Sequence, residues 1–81
     1  MAFHSYILVS EKTGRRYFGS CEDLAKRLAR HNAGQVRSTK AFLPYTLLYS
    51  EEFATKTEAL AREKFYKSID GYRFLKEKSI I

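Results

Sequence analysis

Among its 81 residues the chain has one cysteine, one proline, four glycines and no tryptophan. The lone thiol, Cys21, excludes an internal disulfide and any zinc site built from several cysteines, and it points to a reduced, cytoplasmic setting. Long apolar runs are missing too. The longest near the start, Tyr6 to Val9, is far too short to span a bilayer, and no secretion signal with its cleavage site is legible, so no membrane partner is expected. With no repeat or low-complexity tract and a single Pro44, residues 1–81 read as one domain without a linker. Acids are the scarcer charge: nine Asp and Glu stand against 15 Lys and Arg, a net charge of +6. A field of that sign on a small surface attracts polyanions, nucleic acid foremost.

What the chain does have is apolar and aromatic content sufficient for a core: 44% hydrophobic residues, with six Phe and six Tyr. Two β-prone runs flank the turn signal Lys12-Thr13-Gly14, which predicts an antiparallel hairpin over residues 5–20. An even-numbered loop makes facing positions add to an odd number, and Tyr6 and Tyr17 then project from one face as opposite or diagonal neighbours. Ser20 or Cys21 can cap a first helix with Glu22 and Asp23 in its opening turn. Leu24, Ala25, Leu28 and Ala29 would form its apolar stripe, with Arg27, Arg30 and His31 on an adjacent cationic flank. Residues 35–44 read as a basic loop, and Tyr45–Tyr49, closed by Phe53, as a third strand. Thr55 and Glu58 fit a capping box for a second helix to about Ser68. Asp70-Gly71 should break it before a short last helix over Tyr72–Lys78. The expectation is an α+β fold: a three-stranded antiparallel sheet flanked by helices, in the order β-β-α-β-α-α.

Glu63 interrupts this pattern. The inward positions of the second helix should be Ala59, Leu60, Glu63 and Tyr66, so a carboxylate falls where the period asks for an apolar group. It is either a flank residue paired with Lys67 or Arg62, or the single protein ligand of a hard cation that keeps its waters and takes phosphate oxygens. Arg27 offers a permanent charge and a donor fork suited to phosphate, or is only a solvated flank. His31, one turn on, is either a proton-transfer group or a helix-terminal histidine favoured by the dipole.

The segments Tyr6-Ile7-Leu8, Tyr17-Phe18-Gly19, Leu24 to His31 and Glu58 to Glu63 together resemble the GIY-YIG nuclease superfamily, in particular its short standalone members, which are similar to the amino-terminal domain of the excision-repair nuclease. The Arg37-Ser38-Thr39-Lys40 loop and Pro44-Tyr45 extend the likeness. Ser5 stands where the name-giving motif has its first Gly, and Phe18 where it has Ile. The resemblance implies a Mg²⁺- or Mn²⁺-dependent endonuclease acting on DNA, with Tyr6, Tyr17, Arg27 and His31 as catalytic groups and Glu63 as metal ligand. Arg30, Arg37, Ser38 and Lys40 would contact backbone phosphates, and Lys12, Arg15 and Arg16 would extend that track. With few base-reading side chains, cutting would follow the structure of the nucleic acid more than its sequence. The chain would act as a monomer or weak homodimer. The alternative is a binding module of the same fold that cuts weakly or not at all.

Overall fold

The computed structural model describes residues 2–37 and 39–81; Ser38 lies outside the described residues. Strands β1 (Phe3–Ser10) and β2 (Arg16–Cys21) lead into helix α1 (Leu24–Asn32). A short 3-10 turn (Lys40–Phe42), strand β3 (Tyr45–Phe53), and helices α2 (Lys56–Tyr66) and α3 (Ile69–Glu77) follow. The sheet is antiparallel in the order β2-β1-β3, so the α+β architecture β-β-α-β-α-α is the one expected. None of these helices is long and apolar enough to cross a membrane.

β1 is buried on both sides because it is central, and its alternating side chains feed two separate clusters. Tyr6, Leu8 and Tyr45 pack with Tyr17, Leu24, Leu28, Phe42 and Leu43 on the α1 face. Ile7 joins Tyr66, Leu75, Phe18, Phe65 and Phe74 on the α2/α3 face. Full burial of Ile7, Leu8 or Leu75 contributes about 1.5–3 kcal/mol each. The hairpin register sets Tyr6 opposite Gly19 and Leu8 opposite Tyr17, which makes the two tyrosines diagonal neighbours on one face.

Several local expectations are corrected. The α1 cap is Asp23, whose side chain accepts from Lys26 N–H, so neither acid enters the first turn. Ala25 and Ala29 are exposed, and His31 occupies the inward stripe with Leu24 and Leu28 instead of the cationic flank. Thr55 caps α2 as expected, its Oγ1 accepting from Glu58 N–H at 3.2 Å, but the Glu58 carboxylate returns to the Thr55 hydroxyl at 2.9 Å and not to its backbone N–H. Leu60 nevertheless faces solvent at 41% exposure. Asp70-Gly71 does not break a helix. The break falls at Lys67–Ser68, Ser68 capping α3 through Gly71 N–H. Gly71 is needed inside α3 because a Cβ there would lie 1.7 Å from the Phe65 carbonyl, so the glycine is a packing device between two helices.

Candidate functional site

Tyr6 reaches its position because β2 has no side chain beneath it. A Cβ on Gly19 would sit 2.5 Å from the Tyr6 hydroxyl, so the glycine of Tyr17-Phe18-Gly19 is the gap through which the phenol crosses the strand. The Tyr6 and Tyr17 ring centroids are 6.2 Å apart, and the His31 ring stands edge-on to Tyr17 at 4.9 Å. Three groups from three elements thus converge: β1, β2 and the C-terminal turn of α1.

The polar atoms form one chain. Tyr6 Oη is 3.1 Å from His31 Nε2, His31 Nδ1 is 2.8 Å from Thr39 Oγ1, and Thr39 Oγ1 lies 3.3 Å from the Val36 carbonyl. A carbonyl can only accept, so the Thr39 hydroxyl donates to it and accepts from Nδ1–H; that leaves Nε2 as the acceptor of the Tyr6 proton. The tautomer is assigned by the network. His31 and Thr39 are fully buried. Burial, helped by the charges of Arg27 and Arg30, holds the His31 pKa below its ordinary value, so the ring is a neutral acceptor at neutral pH.

Tyr6 is 2% exposed. Burial, together with Tyr17, pushes its hydroxyl well above the usual phenol range, and the opposing charge of Arg27 does not offset this. A preformed tyrosinate is therefore unavailable at neutral pH. Arg27, half-buried on α1, lines a cavity of about 180 Å³ with Ser20, Cys21, Glu22 and Lys56. Burial likewise raises the Cys21 thiol, which keeps it protonated and inert.

Glu63 lies close enough for its charge to raise the Tyr6 pKa. Its Oε2 accepts from Lys67 Nζ at 3.2 Å, with the two side chains 20% and 54% exposed respectively, the pairing that the flank reading anticipates. A half-exposed i,i+4 pair contributes only about 0.3–0.5 kcal/mol, so a cation can displace the lysine. Among the described residues no three His, Cys, Asp or Glu side chains cluster as a metal cage. A single carboxylate whose one partner is a half-exposed lysine suits a hard ion that retains water and shares phosphate oxygens.

The expected phosphate contacts lie further out. Arg30 is exposed in the last turn of α1, and Arg37 and Lys40 are exposed on the connection to β3. Two residues without an expected role do position the site. Thr39 orients His31, and its signal was only a hydroxyl inside a basic loop. Asn32 clamps the start of β3, accepting from Tyr45 N–H at 2.7 Å and donating to the Tyr45 carbonyl at 3.0 Å.

The chain matches the family model of the GIY-YIG catalytic domain over residues 2–71. It is 40% identical over 74 residues to a UPF0213 protein of Staphylococcus saprophyticus, covering 90% of each chain. UPF0213 protein YazA of Bacillus subtilis is 36% identical over 67 residues, 82% of this chain and 68% of that one. The solution NMR structure of UPF0213 protein BH0048 from Bacillus halodurans superposes with a TM-score of 0.54 at 29% identity, over 95% of this chain and 84% of that one.

Proposed function

The chain belongs to the GIY-YIG catalytic domain family, a family of nucleases, and from that premise we propose that it is a divalent-metal-dependent endonuclease hydrolysing phosphodiester bonds in DNA, directed by the structure of the nucleic acid more than by sequence. The observation that carries the reading is the buried chain of Tyr6, His31 and Thr39, in which the Tyr6 hydroxyl donates to a His31 Nε2 able to take its proton.

The attacking water is held by the Tyr6 hydroxyl. As its oxygen bonds to phosphorus, the water gives a proton to the phenol oxygen, and the phenol passes its own to His31 Nε2. The phenol ends neutral, avoiding a tyrosinate that would cost about 4 kcal/mol or more at neutral pH. Tyr17 donates to a phosphate oxygen and fixes the phosphate against Tyr6. Arg27 faces the charge that develops on the phosphate, where a permanent forked donor is worth most. The leaving oxygen departs with a proton from solvent. Glu63 would hold the Mg²⁺ or Mn²⁺ ion, which when bound supplies Lewis-acid stabilisation of the phosphate. Arg30, Arg37 and Lys40 supply backbone contacts that position the strand without reading it.

Purified protein with Mn²⁺ or Mg²⁺ should nick plasmid or branched DNA. Glu63→Ala and, separately, EDTA should abolish nicking while leaving binding within a few-fold. Equal background cutting by wild type and Glu63→Ala over several substrates would establish the binding-module alternative instead.

A further inference from the structure

At the start of β2, beside Tyr17, lies a cavity of about 200 Å³ lined by Arg15, Arg16, Tyr17, Phe42 and Tyr45. Its wall combines two guanidiniums with three aromatic rings and contains no acid. The Arg15 guanidinium stands 4.5 Å above the Phe42 ring, a cation–π contact between two groups that both line the cavity. The second cavity, near the end of β2, differs in that the Glu22 carboxylate sits there with Arg27 and Lys56. Only the first is wholly suited to an anionic, flat ligand.

We propose that this cavity receives one unpaired nucleobase, stacked on the Arg15–Phe42 pair, with its phosphate on Arg16, next to the phosphate that Tyr17 holds. The proposal rests on the nuclease reading for its position beside the cut, and it names the substrate class: nucleic acid with at least one unpaired base there. Aromatic rings and arginine planes take bases that are splayed out of the stack, and bases within a duplex cannot reach such a recess. The start of β2 is also the natural neighbour of the cut, because Tyr17 belongs both to the cavity wall and to the cluster with Tyr6 and His31. Tyr45 links the two in the same way, its ring 6.3 Å from that of His31.

The test is binding measured by fluorescence anisotropy in EDTA, with no cleavage required. The probes are an oligo-dT, an oligo-rU, an abasic deoxyribose-phosphate chain of the same length, and a duplex. Wild type should bind oligo-dT at least about five-fold more tightly than the abasic chain, the lower end of what one stacked base contributes. Arg15→Lys, which keeps the charge and loses the plane, should remove most of that difference and leave abasic binding within about two-fold. Phe42→Leu, which keeps apolar packing and loses the ring, should do the same. A preference for oligo-rU over oligo-dT would assign the unpaired strand as RNA, and the reverse as DNA. Equal binding of oligo-dT, oligo-rU and abasic chains, or an equal loss on all of them in Arg15→Lys, would overturn the proposal. Base-dependent binding by a protein that never cuts would support this cavity while refuting the nuclease; cutting without base-dependent binding would do the opposite.

Discussion

Two tyrosines, Tyr6 and Tyr66, are both 2% exposed on opposite faces of the same sheet, and each gives its hydroxyl to a single partner. Tyr6 meets the neutral imidazole of His31. Tyr66 meets Glu51 at 2.5 Å, a carboxylate already bonded by Arg62 Nε at 2.7 Å. Burial pushes the Glu51 carboxyl up, but the hydrogen bonds from Arg62 and Tyr66 outweigh it and hold it below the usual range. Such an anion at neutral pH is a poor proton acceptor, whereas an imidazole held neutral at its Nε2 is a ready one. Arg62 is further fixed by lying 4.3 Å over Phe65 and 4.5 Å over Phe74. The α2/α3 face thus uses its tyrosine to close an ion pair, and the α1 face leaves its tyrosine a way to exchange a proton. The partner, not the burial, distinguishes the two phenols, and it is on the proposed mechanism that Tyr6 becomes the reactive one.

The sharpest way to break this contrast is to remove each hydroxyl in turn. Tyr6→Phe should lower the cleavage rate by about 100-fold or more, the usual scale of a lost acid–base group. Tyr66→Phe should leave cleavage within a few-fold and shift thermal unfolding. Single-turnover kinetics and calorimetry on both variants would show it, and equal rate losses would erase the distinction. Next in size, Glu51→Gln should destabilise the fold by about 1–2 kcal/mol, the figure for a charged hydrogen bond reduced for its partial exposure. Urea unfolding measures this; an unchanged midpoint would mean that the Glu51–Arg62–Tyr66 cluster does not hold α2 to β3.

The smallest effect is on pH. The folded His31 pKa is lowered, so between that value and the ordinary one of about 6.5 the unfolded chain binds the extra proton and the folded chain does not. Stability from this group is full above that window and declines as pH falls through it. Cleavage should also fall on the acid side, as Nε2 becomes a donor and no longer accepts from Tyr6. A rate that rises on acidification would contradict the neutral tautomer.

Much of this was legible in the sequence where period and punctuation agree. The turn at Gly14 placed Tyr6 and Tyr17 on one face, and Thr55 with Glu58 marked the start of α2. His31 was misplaced because a histidine beside arginines reads as part of a charged flank. Its spacing of seven from Leu24 and three from Leu28 already put it on the inward stripe. Gly71 read as a breaker because local propensity cannot reveal a helix passing within contact of another backbone. The Tyr66–Glu51 partnership spans 15 residues, and Thr39 joins His31 from an aperiodic loop; neither relation leaves a local trace.

The Asn32 side chain adds one more rung to the ladder of β3, bonding both backbone groups of Tyr45 from a helix. His31 is the preceding residue, so its ring is held from two sides, by the Asn32 tether to β3 next to it and by Thr39 Oγ1 in the loop that follows. The amide of Tyr45 should therefore exchange with solvent deuterium as slowly as the centre of the sheet. Fraying of residues 33–37 would leave the His31 ring in place as long as both of these holds persist.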